Sequence, residues 1–231
     1  MIRPPVVLLH GLASSFEHNW REPGWVDLLT EAGRDVLEVD LPGHGRGPHA
    51  TVPEAYADVP GAVLSRIADQ APDATQIDAV GFSRGGHTLL SIAATRPEFF
   101  RRLALLGVGD RVFAAPARTS NELADVFTAT TEPETDPARI FWRLARAAGN
   151  DPAALSAFVR RDVPAGFDPA DVARVSCPVL VIIGDRDFAG PADGLVAALP
   201  QARLEVLRGT DHFGTTSDYR CIGAVLEFLD E

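Results

Sequence analysis

The chain has 231 residues, 46% of them hydrophobic, enough to bury one sizeable core, and no linker-like or low-complexity tract divides it. Its formal net charge of −11 would repel nucleic-acid phosphates and anionic membrane surfaces, so neither is an expected partner. All 21 basic residues are arginine, which excludes lysine Schiff-base chemistry and lysine general bases.

The amino terminus, Met1-Ile2-Arg3-Pro4-Pro5, leads into the short apolar run Val6–Leu9, too brief for a signal-peptide core, and no later run reaches membrane-spanning length. A soluble, cytoplasmic protein is the expectation. Val6–Leu9 reads as a buried strand followed by His10-Gly11, and Val36–Val39 as a second followed by Asp40. Ile77–Val80 ends a third, and Gly86–Thr95 has the apolar density of a packed helix. Between them stands Gly81-Phe82-Ser83-Arg84-Gly85. A serine lifted on a tight strand-to-helix turn stands clear of the backbone. The flanking glycines permit both the strained angles and the close approach of strand and helix.

Leu103–Leu106 reads as the fourth strand, with Asp110 beyond it. Val179–Ile183 is the fifth, followed by Asp185 and Asp187, and Leu204–Leu207 the sixth, followed by His212. Strands alternating with helix-like segments imply an α/β fold: a doubly wound, mostly parallel sheet of about six strands, with ligands at the carboxyl edge. About 70 residues separate the fourth and fifth strands, far more than one crossover helix needs. Residues 111–175 are therefore expected to form a small helical cap inserted into a core of residues 1–110 and 176–231. Asp136-Pro137, Asp151-Pro152 and Asp168-Pro169 each set a capping aspartate before a proline suited to a first helical turn. Ile140, Phe141, Trp142, Leu144 and Leu155 offer apolar surface to roof a pocket, or simply to build core. Cys177 and Cys221 lack metal-ligand spacing and read as buried reduced thiols.

Taken together these residues resemble the α/β-hydrolase superfamily over nearly the whole chain outside the cap. His10-Gly11-Leu12-Ala13-Ser14-Ser15 is similar to the family's His-Gly loop, and Asp40-Leu41-Pro42-Gly43-His44-Gly45-Arg46 to its structural turn. Gly81–Gly86 resembles its nucleophile elbow, Gly184-Asp185-Arg186-Asp187 its acid-bearing turn, and Thr210-Asp211-His212-Phe213 its histidine segment. The resemblance implies Ser83 as nucleophile, His212 as base and Asp187 as acid, in the chain order that fold uses. It also implies an oxyanion hole from the backbone N–H groups of Leu12 and Arg84, with no cofactor and no metal. Asp110 is an alternative acid, one strand earlier, and Asp185 a third candidate. Among the other histidines, His44 and His87 read as structural, His10 as shaping the oxyanion loop, and His18 and His49 as loop residues.

Three features depart from the family pattern. There is little room before the His-Gly strand for the usual amino-terminal hairpin. Arg84 sets a long cation beside the serine, where a structural ion pair is the expectation and a substrate carboxylate the alternative. The short cap suits a small or medium ester. Hydrolysis of such a carboxylic ester through an acyl-serine is the leading expectation. Carbon–carbon cleavage of a carboxylate-bearing dicarbonyl, or slow turnover in a ligand receptor, are the alternatives.

Overall fold

The computed structural model describes residues 3–114, 119–147, 149–163 and 166–231. The sequence positions 115–118, 148, 164 and 165 of the expected cap, and Met1 and Ile2, lie outside the described residues. Six strands form one sheet: β1 (Val6–Leu9), β2 (Val36–Val39), β3 (Ile77–Phe82), β4 (Phe100–Leu106), β5 (Val179–Gly184) and β6 (Ala202–Leu207). Their order is β2-β1-β3-β4-β5-β6, and every neighbouring pair is parallel. All six expected strands are present and the fold is the doubly wound α/β class. The strand order reverses between β1 and β3. That is the switch point where the carboxyl ends of neighbouring strands open a crevice.

The near-continuous apolar strands are explained by burial on both faces. Val7, Leu9, Ala79, Leu105 and Val181 point into one core, shared with helices α2 (Val59–Gln70), α3 (Arg84–Thr95) and α8 (Asp193–Ala198). Their alternates Val6, Leu8, Val80, Leu106 and Ile182 point into the other, covered by α1 (Trp25–Glu31) and α9 (Tyr219–Asp230). Both cysteines are buried and unpaired, and burial pushes the Cys177 thiol up to about 11.

Between β4 and β5 lie α4 (Thr119–Thr128), α5 (Ala138–Leu144), α6 (Pro152–Arg160) and α7 (Pro169–Val172). Asp151 and Asp168 cap α6 and α7 as expected, their carboxylates accepting the Ala153 and Ala170 N–H groups at 2.8 Å. Asp136 does not cap. Pro137 takes the N-cap position with angles already in the helical region, so Asp136 falls one residue too early and pairs with Arg139 at 3.0 Å instead. Leu155 is fully buried in the core.

At the opposite end of the sheet Asp78, fully buried on β3, is clamped by two arginines. Arg34 pairs with it, and Arg101 donates to its two oxygens at 2.9 and 2.6 Å. Both guanidinium groups also donate to the Leu229 carbonyl near the end of α9. Removing one partner of a buried pair strands the other's charge, at about 3–5 kcal/mol. Arg34→Met is expected to fall at the lower end, about 3 kcal/mol, because Arg101 remains. Urea denaturation measures this, and a loss under about 1 kcal/mol would mean that the clamp contributes little.

Candidate active site

The site begins with backbone geometry. Ser83 sits between β3 and α3 at φ +50°, ψ −112°, in the left-handed half of the map that a β-substituted residue rarely occupies. Its neighbours make this possible. A Cβ on Gly85 would lie 2.0 Å from the Leu9 carbonyl oxygen, and one on Gly81 2.7 Å from the backbone of Gly86. Only glycine allows β1, β3 and α3 to come so close, and the glycines predicted to matter are thus the ones in contact.

Ser83, His212 and Asp187, singled out separately in the sequence, are in hydrogen-bond contact. The Ser83 hydroxyl lies 2.9 Å from His212 Nε2. His212 Nδ1 lies 2.8 and 2.9 Å from the two oxygens of Asp187. With Nδ1–H donating to the carboxylate, Nε2 is left as acceptor for the serine O–H. Asp187 is fixed in turn, accepting the Ala189 N–H at 2.7 Å. Two aromatic rings pack against the imidazole, Phe82 at 4.9 Å and Phe188 at 4.3 Å between centroids. The other two acid candidates face elsewhere. Asp110 accepts the Leu195 N–H at 2.8 Å, near the start of α8, and Asp185 the Gly209 N–H at 2.7 Å.

Leu12 and Arg84 both line the cavity that Ser83 opens into. The Arg84 N–H belongs to the first turn of α3, where donors have no intrahelical acceptor. The His-Gly loop is pressed against the serine: a Cβ on Gly11 would stand 2.8 Å from the Phe82 ring and 3.5 Å from Ser83 Cβ. His10 ties this loop to the turn after β2, its Nδ1 donating to the Gly11 carbonyl at 2.8 Å and its Nε2 accepting the Leu41 N–H at 3.0 Å. Asp40 completes the brace by accepting the Phe16 and Arg46 N–H groups at 2.6 and 2.9 Å. Burial alone would raise its carboxyl, but the backbone hydrogen bonds it accepts work against this, and the carboxyl is held below the usual carboxylate range.

The cavity, about 370 Å³, is also lined by Ile140, Phe141 and Leu144 of α5, by Phe188 and Phe213, and by His18, His87 and Arg111. Trp142 is absent from that lining. Its indole donates to the Ala129 carbonyl at 2.9 Å, and Arg146 stacks on it at 4.0 Å. The expected ion pair of Arg84 is not found: among the described residues its side chain pairs with no carboxylate. Arg84 is instead a partly buried residue of the cavity lining, and burial lowers its pKa.

Sequence reasoning missed Asn150. Its amide donates to the carbonyls of Ala13 and Leu144 and accepts the Gly45 N–H, pinning the segment between β4 and β5 to both loops at the site. Phe188 was also missed, and Phe213, quoted only as part of the histidine segment, was not foreseen in the cavity wall. No group of three or more His, Cys, Asp or Glu suited to a metal occurs among the described residues, and none of the described helices is long and apolar enough to cross a membrane.

A six-stranded parallel sheet with a serine elbow at its switch point defines a class, and residues 6–220 match the alpha/beta hydrolase family. The chain belongs to that family. It is 26% identical to a 2-hydroxy-6-oxononadienedioate/2-hydroxy-6-oxononatrienedioate hydrolase of Cupriavidus pinatubonensis, over 97% of this chain and 86% of that one. Among solved structures, it superposes on the 2-hydroxy-6-oxo-6-phenylhexa-2,4-dienoate hydrolase of Rhodococcus sp. strain RHA1 with a TM-score of 0.74 at 23% identity, covering 99% of this chain and 90% of that one. A thermophilic esterase from Thermogutta terrifontis gives a TM-score of 0.71 at 19% identity, covering 98% and 89%.

His87, one turn past Ser83, has its pKa lowered to about 3, first by burial and then by the nearby charge of Arg84. In the unfolded chain a histidine takes up its proton near ~6.5. The unfolded state therefore binds more protons between these values, and stability is lost as pH falls through that window. His87→Gln should flatten the decline of unfolding free energy between about pH 6 and 4 by up to ~1.4 kcal/mol per pH unit. Urea titrations at each pH test it, and an unchanged slope would show that His87 titrates normally in the fold.

Proposed function

We propose that this hydrolase cleaves a small or medium carboxylic ester through an acyl-serine intermediate, with Ser83 as nucleophile, His212 as general base and Asp187 as the acid that orients it. The observation carrying this is the continuous hydrogen-bonded chain from Ser83 Oγ to His212 Nε2 and from Nδ1 to Asp187. A serine hydroxyl attacks a carbonyl effectively only when its proton is removed during attack, and Nε2 lies 2.9 Å from it. The imidazolium that forms is stabilised by the buried carboxylate. It then returns the proton to the departing alcohol oxygen as the acyl–oxygen bond breaks. Water, deprotonated by the same nitrogen, releases the acid. The negative charge on the carbonyl oxygen would be met by the N–H groups of Leu12 and Arg84, and such a donor is typically worth ~2.7–4 kcal/mol.

A second reading keeps the same residues but cleaves a carbon–carbon bond in a carboxylate-bearing dicarbonyl. Similarity to the Cupriavidus hydrolase along almost the whole chain supports it, as does a cavity with an unpaired cation. Turnover of p-nitrophenyl esters of graded acyl length separates the two. Fast ester hydrolysis favours the first, and inertness toward esters with cleavage of a vinylogous dicarbonyl favours the second.

For the roles, Ser83→Ala should abolish fluorophosphonate labelling. Asp187→Asn should cut kcat by about 10⁴ with the fold intact, since the wrong histidine tautomer is then favoured. Asp110→Asn should stay active, because an amide oxygen can still accept the Leu195 N–H. Labelling that maps to another residue, or an active Asp187→Asn protein, would overturn the assignment.

Residues 111–175 act, in this proposal, as the cap that sets acyl-length preference, through α5. Phe141→Ala should shift kcat/KM between adjacent chain lengths by ~1–3 kcal/mol. Trp142→Ala, which removes a residue absent from the cavity wall, should lower melting temperature and leave the length profile unchanged. Equal profiles for both variants would refute a selective role for Phe141.

A further inference from the structure

We infer that the cavity is built for an anionic substrate: a molecule that presents its scissile carbonyl to Ser83 and carries a second, ionised carboxylate anchored by the Arg84 guanidinium. The inference rests on the serine-hydrolase proposal for the reacting end and adds the recognition of the other end.

Charge is distributed unusually here. The chain has 32 acidic residues, yet among the described residues no Asp or Glu lines the cavity, whereas Arg84 and Arg111 both do. Many other arginines find carboxylates, as Arg21, Arg34, Arg101, Arg139, Arg160 and Arg220 illustrate, and Arg146 and Arg161 donate to backbone carbonyls. Among the described residues Arg84 pairs with none, and it stacks on no aromatic ring either. The undescribed positions contain no Asp or Glu, so none of them can supply the missing partner. Arginine keeps its proton in proteins even where burial lowers its pKa, so this is a resident positive charge. Its field reaches its neighbours. Arg161 is held down at about 9, first by burial and then by Arg84, and His87 is lowered in part by the same charge.

A guanidinium fork offers paired N–H donors that match a carboxylate, in the stronger class of charge-assisted hydrogen bonds. Part of the remaining wall is an aromatic array. Phe141 and Phe213 lie 5.7 Å apart, Phe213 and Phe188 6.2 Å, and Phe188 and His212 4.3 Å. The site thus offers a cation, an apolar body and a serine, which suits a carboxylate, a hydrocarbon segment and an ester or ketone in one small molecule.

The test separates binding from turnover. In Ser83→Ala protein, calorimetry compares the monomethyl ester of glutaric acid with its neutral isostere, in which an isopropyl group replaces the free carboxyl. The expected result is at least about tenfold tighter binding of the anion at low salt, shrinking as salt is added. Adding Arg84→Met should bring the two ligands within about twofold, and Arg84→Lys should keep part of the preference because it keeps the charge. Melting curves show whether each variant is folded; if Arg84→Met is not, Arg84→Lys and the salt dependence decide. Equal affinity for the two ligands in Ser83→Ala protein, or a preference untouched by loss of the Arg84 side chain, would overturn the inference. Anion preference in a protein whose intact Ser83 hydrolyses neither ester would remove the esterase proposal and leave this one standing. Rapid hydrolysis of both esters at equal kcat/KM, with no binding preference, would do the reverse.

Discussion

The close approach of β1, β3 and α3 around one serine is the constraint on which the rest of the site depends. A single methyl group on Gly85 would collide with the carbonyl of Leu9, and one on Gly86 would lie 2.6 Å from the Val108 side chain. Because glycines clear that space, the chain can reverse within one residue and send the Ser83 side chain out toward His212. Holding a non-glycine residue at positive φ costs on the order of 1–3 kcal/mol. That cost is borne by fully buried β3 on one side and the 12-residue α3 on the other, both fixed by their own cores. The strain is local, while the packing that enforces it is spread across the sheet.

A second network carries this rigidity outward. His10 joins the loop after β1 to the loop after β2, and Asp40 collects N–H groups from both sides of that junction. Gly45, at φ +49°, passes so near Asp40 that a Cβ would sit 2.7 Å from its carboxylate. Asn150 then connects the same loops to the segment between β4 and β5. The cavity wall contributed by α5 is therefore referenced to the serine through few, fully hydrogen-bonded links. A buried polar group that satisfies all its partners specifies position more sharply than apolar contact does.

The sheet was legible because strands buried on both faces leave continuous apolar runs, and because each run ends on a polar residue at the carboxyl edge. Ser83, His212 and Asp187 also follow strands, but Asp110 and Asp185 do too, and it was the resemblance of short local motifs to the α/β-hydrolase pattern that assigned the roles. What remained hidden required knowing which long side chains meet. Asp136 looked identical to Asp151 and Asp168, and only the backbone of Pro137 shows why it does not cap. Phe141 and Trp142 are adjacent on α5 and equally apolar, but only one faces the cavity. Asn150 carries no motif, and its three partners lie 6, 105 and 137 residues away.

Arg84 is where an expectation drawn from ordinary proteins failed most usefully. In a chain with an excess of carboxylates, a partly buried guanidinium should find a partner, since desolvating an unpaired charge is costly. Keeping it unpaired implies that something other than stability selects the arrangement, because local rules are broken mainly where function requires it. The position sharpens the point. Arg84 follows the serine directly, so its backbone is fixed by the elbow, and the residue lines the cavity. A cation there also disfavours protonation of nearby His87, keeping that ring neutral where a second positive charge would compete with Arg84 for an anion. One residue thus links the rigid turn at the serine to the charge of whatever molecule the cavity accepts.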